Sequence, residues 1–424
     1  MHAVILAAGR SKRIKPIEDK NFLKFLGKTL IEHQIENVRK AGFEKITVIG
    51  GAHNLAKLQK LDVQVVEQEN LDEGMAGAMM SLESHIGNEP ILLLSANDYL
   101  DSEAFTLIKK SAENSEAEML MLAKKVTSYF PGGYLAVEGN KITEIVEKPG
   151  EGNEPSDMIN IVLHWHKKPL EFIAKIRESQ TSQDDWYEVA IDNMIKSGTL
   201  VEAVPYEGYW QALKYPWHVL ELQKYFLSQI KQPKIADSAQ IAETATIKGP
   251  VIIEEGVKVF DHAVVAGPAY IGKNAVIANN SLVRDSMIGE NTVVGYGSEV
   301  ARSHLENDVW LHTNYVGDSI LCQNTALGAG TVTGNLRLDE GEIFMNIKDE
   351  KTGAQTNKFG TIIGANSRVG INASIMPGIK IGRGSFVSGG IPIAQDIPDN
   401  SFVKGKVTLE ICENTRQAHK RDTL

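Results

Sequence analysis

At 424 residues, 42% hydrophobic and 23% charged, the chain is long enough for two or three domains with cores of their own. A formal net charge of −10 argues against nucleic acid as the main partner, so a local run of cations calls for a local explanation. Two cysteines, Cys322 and Cys412, give neither a disulfide framework nor a metal-ligand spacing, and no apolar run reaches the length of a membrane span. The start "MHAVILAAG" lacks the charged leader of a signal peptide. The expectation is a protein of the reducing cytoplasm with no membrane partner.

"HAVI" reads as a short buried strand running into "LAAGRSKRIKP", where one glycine, Gly9, is followed by four cations. That order suits a phosphate-binding turn, although such turns usually hold more glycine. The amphipathic "TLIEHQIENVRKAG" follows, then "KITVIG", "VQVVEQ", a helical "AGAMMSLESHI" and "PILLLSAND". Apolar strands of about five residues alternating with helices predict an α/β, Rossmann-like domain over residues 1–230, its mostly parallel sheet covered on both faces. Ligands of such sheets bind beyond the carboxyl ends of the strands, where Gly9 and Asp98 both fall. The segment "YPWHVLELQKYFLSQIKQ", from about residue 215, reads as a helical connector.

From Pro233 the period changes. Ile235, Ile241, Ile247, Ile253, Val259, Val265, Ile271, Ile277 and Val283 recur every six residues; Ile288, Val294 and Val300 continue after a one-residue slip, and the hexad resumes from Ile363 to Val387. A hexapeptide period predicts a parallel β-helix over 231–424, each unit forming one flat side with its aliphatic residue pointing inward. The hexad breaks around 302–316 and again over roughly 335–358. Breaks in a repetitive scaffold are expected to be loops that carry ligand contacts.

The "LAAG…R…P" start, "EKP" at 147–149, "HTNYVGDS" and "GAGTVTGN" together resemble the bifunctional GlmU-like sugar-1-phosphate acetyltransferase/nucleotidylyltransferase proteins, over nearly the whole chain. The resemblance implies a nucleotidyltransferase domain followed by a left-handed β-helix. It further implies acetyl-CoA-dependent N-acetylation of glucosamine 1-phosphate, nucleotidylyl transfer from UTP with magnesium, and a homotrimer. In that family Gly9, Arg13, Pro16, Lys20 and Gly27 match the opening motif, with Arg13 and Lys20 supplying cations to the triphosphate. Gln68 and the turn from Gly74 to Ala78 match the base-recognition elements, with Met75 in place of a threonine. Gly133, Glu147, Lys148 and Asn160 match the sugar site, Glu147 toward hydroxyls and Lys148 toward the sugar phosphate. Asp98 matches the magnesium-binding aspartate.

Four further positions depart from the pattern. Ser11 replaces a glycine and Asp19 a proline, which predicts a less ideally shaped loop. In "YWQALKYPWHVL", Ala212 stands where related proteins carry a second metal-binding aspartate, and His218 replaces a later acidic residue. Nucleotidylyl transfer is therefore expected to be slow, to use another ligand, or to be lost while nucleotide or sugar binding persists. In the β-helix, His312 matches the catalytic base, Tyr315 and Lys358 the acceptor-sugar contacts, Ala329 the acetyl-CoA thioester contact, and Asn335 a residue meeting acceptor and donor. Arg302 is a further candidate for a sugar phosphate. Two other readings stand beside this one: a nucleotidylyltransferase whose β-helix serves assembly only, and a non-catalytic subunit that binds sugar nucleotides.

Overall fold

The computed structural model describes residues 1–181, 185–406, 411 and 413; Cys412 and nearly all of the tail from Val407 lie outside them. The first half begins with β1 (His2–Leu6), α1 (Leu30–Lys40), β2 (Lys45–Gly50), β3 (Gln64–Glu67), α2 (Gly74–Ser81) and β4 (Ile91–Ser95). It continues with β5 (Asp98–Leu100), α3 (Ser102–Asn114), β6 (Met119–Lys125), β7 (Gly133–Glu138), β8 (Lys141–Glu147) and β9 (Met158–His166). The half ends with α4 (Pro169–Glu178), α5 (Trp186–Lys196), β10 (Val201–Pro205), β11 (Trp210–Ala212) and α6 (Trp217–Ser228).

Nine strands form one sheet in the order β3-β2-β1-β4-β9-β6-β10-β8-β7. Its first four strands are all parallel, because each is reached by a crossover over the sheet. From β9 the directions mix. β7 and β8 pair antiparallel through a tight turn at Gly139–Asn140, with Gly139 at φ +62°. Alternation along the central strands fills two separate cores: Ala3, Ile5, Leu92 and Leu94 face one side, Val4, Ile91 and Leu93 the other. α1 starts at a full capping box, in which Glu32 N donates to Thr29 Oγ1 at 3.3 Å and Thr29 N to Glu32 Oε2 at 2.7 Å. The same helix then holds β5, since Gln34 Nε2 donates to Asp98 O at 2.5 Å and Asn37 Nδ2 to Leu100 O at 2.9 Å.

The second half is a prism of three parallel sheets with 8, 9 and 8 strands. The hexad aliphatics, from Ile253 through Val316 to Ile393, form one continuous buried core. Corners are turned by residues with positive φ, chiefly asparagines such as Asn274, Asn291, Asn324 and Asn372. Gln240 stacks on Lys258 and Lys258 on Val276, one full coil of 18 residues each; Val293 stacks on Trp310, and Trp310 on Ala326, with coils of 17 and 16.

That shortening corrects one expectation. The hexad slip around 302–316 is no loop, because the strands pair straight through it and only the corners lose residues. The second break is a genuine excursion. It carries an antiparallel hairpin, Phe344–Ile347 with Glu350–Gly353.

One prism face is covered by the first half. α6 lies on it, with His304 Nδ1 and Gln223 Oε1 3.1 Å apart and Phe25 stacked on Phe226 at 5.1 Å. Tyr270, Met287, Ile320 and Ile362 complete this shared core. The other two faces stay open, and Trp310, Val332, Phe386 and Phe402 are exposed on them. No helix among the described residues is long and apolar enough to cross a membrane.

Candidate functional site

The turn after β1 is braced from below. Asn21 Nδ2 and Asn54 Nδ2 both donate to Ala7 O, at 3.1 and 2.9 Å, and Asp19 accepts from Asn54 Nδ2 at 2.9 Å and from Asn21 N at 3.0 Å. Asp19 is thus a buried strut of the loop. Ser11 takes φ +52°, the left-handed conformation a glycine would adopt. That costs about 1 kcal/mol, and the bond from Lys20 N to Ser11 Oγ, 3.3 Å, offsets a comparable amount. The departures at 11 and 19 therefore leave the loop closed and cradle-shaped.

This loop walls a cavity of about 460 Å³ lined by Gly9, Arg13 and Lys20, together with Arg10, Lys12, Lys214 and Lys348. A Cβ on Gly9 would meet nothing within 4 Å, so its backbone faces open space. Arg10 is tied to Asp72 at 2.9 Å. Lys348 comes from the tip of the prism's hairpin, where it and Asp349 both adopt positive φ. The second hexad break thus carries one of its groups, Lys348, to the first half's cavity.

A second cavity of about 290 Å³ shares Gly9 and Gly74 and extends to Gln68, Glu147, Lys148 and Tyr187. Gly74, at φ +52° and ψ −135°, occupies a region open essentially to glycine alone. Gln68 Nε2 donates to Asn70 O and Gly74 O, both at 2.9 Å, which leaves Oε1 as a free acceptor. An added Cβ on Gly77 would lie 2.7 Å from Gln68 Nε2, so Gly77 is what lets the glutamine lie there. Gly133 pairs with Glu147 across β7 and β8, and a Cβ on it would come within 3.1 Å of Glu147 Oε2 and 3.6 Å of Asn160 Cβ. Lys148 Nζ rests 2.6 Å from Glu147 Oε1.

Asn160 is oriented by groups the sequence did not single out. His164 Nε2 lies 2.8 Å from Asn160 Oδ1, His164 Nδ1 2.6 Å from the Tyr187 hydroxyl, and His166 Nε2 3.0 Å from that hydroxyl. Burial keeps both imidazoles neutral, pushing His166 down to about 3 and His164 well below its ordinary value. If Tyr187 donates to His164 Nδ1, His164 Nε2 donates to Asn160 Oδ1, and the Asn160 amide nitrogen is left for a ligand.

Asp98 is buried at the start of β5, with Asn97 Nδ2 donating to its Oδ1 at 2.9 Å. Its cross-strand partner is Ala212, so an aspartate there would set two carboxylates side by side. Instead Asp98 faces the ammonium groups of Lys214 and Lys20. Burial raises its pKa, the two lysines oppose that rise, and burial lowers each lysine to about 8. Among the described residues no three acidic, histidine or cysteine side chains come together for a metal. With Lys214 and Lys20 facing Asp98, this single carboxylate does not fit a magnesium ion held without phosphate ligands. His218 accepts from Lys214 N at Nδ1, 3.2 Å, and is buried neutral, pushed down to about 4. It shapes the turn that aims Lys214.

In the prism, Arg302 grips Asp318 with two bonds of 2.7 Å, Asn335 Nδ2 donates to Asp318 Oδ2 at 2.5 Å, and Asn335 Nδ2 lies 3.3 Å from the Tyr315 hydroxyl. Lys358 stands next to this network, bridged to Leu336. His312 and Ala329 lie at the opposite edge of the same face, on adjacent coils joined by Gly330 N donating to Thr313 O at 2.8 Å. A three-residue strand separates the edges by roughly 10 Å. The structure thus unites Arg302, Tyr315, Asp318, Asn335 and Lys358, and puts His312 with Ala329 on an exposed corner beside Tyr296 and Ile371. Asp318 was missed from sequence although it lies inside the quoted "HTNYVGDS".

Residues 3–188 match the family model of the MobA-like NTP transferase domain, and 250–285 match that of the bacterial transferase hexapeptide. A "bifunctional sugar-1-phosphate nucleotidylyltransferase/acetyltransferase" of Sulfurisphaera tokodaii is 30% identical, covering 95% of this chain and 100% of the relative. Proteins named "bifunctional protein GlmU" from Methanocaldococcus jannaschii and Methanococcus maripaludis are 31% and 34% identical, covering 95% and 97% of this chain and 97% and 99% of theirs. With identities of 30–34% over nearly the full length of both chains, the chain belongs to the family of bifunctional GlmU-type sugar-1-phosphate nucleotidylyltransferase/acetyltransferases.

Proposed function

We propose that the chain makes a UDP-N-acetyl amino sugar by two transfers, one in each of two domains, 1–230 and 231–424. In the second domain the amine of glucosamine 1-phosphate attacks the thioester of acetyl-CoA; the C–S bond breaks, His312 takes the ammonium proton, and CoA leaves as the thiol. Asn335, Tyr315 and Lys358 hold the acceptor, and the Ala329 backbone meets the thioester. In the first domain an oxygen of N-acetylglucosamine 1-phosphate attacks the α-phosphorus of UTP and pyrophosphate departs. Arg13 and Lys20 meet the triphosphate, Gln68 and Gly74 the base, and Gly133, Glu147, Lys148 and Asn160 the sugar phosphate.

The observation that carries this reading is the network joining Arg302, Asp318, Asn335 and Tyr315 on one prism face. The network ties Asn335 and Tyr315, two of the acceptor contacts, to the buried Asp318 on the face that also carries His312. The exposed Trp310 near His312, with Ile371 and Phe386 on later coils, supports a homotrimer in which a neighbouring copy completes the acetyl site. Acetyl-CoA and nucleoside triphosphates are cytoplasmic metabolites, which supports a cytoplasmic protein. Ala212 opposite Asp98 favours a second reading for the first domain alone, slow turnover with binding retained.

Free CoA and pyrophosphate, followed separately with glucosamine 1-phosphate and N-acetylglucosamine 1-phosphate as acceptors, test the proposal. CoA release is expected with the first sugar only and pyrophosphate release, at a lower rate, with the second. Neither product would leave the chain a binding subunit.

A further inference from the structure

The first domain's phosphate cavity has its cations where its relatives' pattern places a carboxylate pair. Ala212 removes one carboxylate from the β5–β11 pair. Two residues later Lys214 turns its side chain back toward the remaining one. Lys214 Nζ donates to Pro131 O at 2.9 Å and sits 3.8 Å from the centre of the Phe130 ring, which fixes the ammonium while using one of its three protons in a hydrogen bond. Lys20 Nζ is anchored in the same way on Leu213 O at 3.2 Å. Both lysines line the cavity that Gly9 and Arg13 open. No ion pair within 4 Å joins either lysine to Asp98, so their remaining protons stay available to a ligand.

We infer that the ammonium groups of Lys214 and Lys20, balanced by Asp98, fill the electrostatic place of a resident divalent cation, so that this domain binds a nucleoside triphosphate without metal. The charge arithmetic supports it: Lys20 belongs to both patterns, so two carboxylates, a divalent cation and Lys20 carry one net positive charge, and one carboxylate with Lys20 and Lys214 carries the same without an ion. A site with that surplus needs no ion to accept a polyphosphate. Lys214 is the residue that the Ala212 exchange makes necessary, and neutral His218 holds its backbone turn. The inference rests on the nucleotide reading of this cavity.

Titration calorimetry of the full chain with UTP, in EDTA and again with excess magnesium, tests both levels. The expected dissociation constant in EDTA lies within about threefold of that in magnesium, a difference under about 1 kcal/mol. Lys214→Met is expected to weaken UTP binding in EDTA at least tenfold, and Lys214→Arg to recover most of it; thermal melts of each variant identify any that fail to fold. Binding seen only with magnesium would overturn the lysine site and leave the nucleotide reading intact. So would Lys214→Met binding UTP in EDTA as tightly as the unmodified chain. Absence of UTP binding under both conditions would overturn the nucleotide reading as well.

Discussion

Replacing His312 by alanine is expected to lower acetyl transfer to glucosamine 1-phosphate by about 10²–10⁴, the range general-base catalysis supplies. The ring is exposed and makes no hydrogen bond to the described residues; only its backbone is engaged, N with Asn314 Oδ1 at 2.7 Å and O with Ser298 Oγ at 2.9 Å. Alanine keeps both backbone contacts, so the coil should remain as stable as before. The loss would therefore be one of chemistry, visible in kcat with KM for acetyl-CoA little changed. Asp318→Ala should act differently. It frees Arg302 and Asn335 together, and should raise KM for the acceptor while leaving the thioester end of the face in place. CoA release, measured against both substrates at constant pH, separates the two patterns. An unaltered rate in His312→Ala would remove the base from the account.

Lys20→Met is expected to lower pyrophosphate release by about 10²–10³, the cost typical of losing one preorganised charge beside a developing phosphate anion. Lys20 is the deepest cation of the cavity. Its Nζ holds Leu213 O and its backbone N holds Ser11 Oγ, so it joins the first loop to the strand carrying Ala212. Methionine preserves the volume of the stem and removes the charge, whereas Lys20→Arg retains a cation and should recover part of the rate. Arg13, exposed at the cavity's rim, should cost less when replaced. Pyrophosphate release by Lys20→Met at the rate of the unmodified chain would place the triphosphate elsewhere.

The prism was readable because a six-residue period has one physical meaning: each aliphatic from Ile253 to Ile393 must face a common interior. The strands of the first sheet were readable for the same reason, as short apolar runs separated by helical spacing. What escaped was set by contacts distant in sequence. Nothing in "RSHL" tells that His304 meets Gln223, 81 residues away, and nothing in "NIKDE" tells that a hairpin tip delivers Lys348 to another domain's cavity. Ser11 was expected to leave the loop less ideally shaped, yet a hydrogen bond that its Oγ accepts from Lys20 N lets it hold a glycine's conformation. Lys214 was overlooked in a stretch noted for the aspartate it lacks. Its importance emerges only once Ala212 is seen opposite Asp98.

The most direct test of two unequal active sites in one chain is a one-pot conversion of glucosamine 1-phosphate, acetyl-CoA and UTP, with each variant alone and then mixed. His312→Ala alone should stop at the starting sugar, Lys20→Met alone should accumulate N-acetylglucosamine 1-phosphate, and the mixture should restore the UDP-sugar. Formation of UDP-N-acetylglucosamine by either variant alone at the unmodified rate would contradict the division of labour between the two halves.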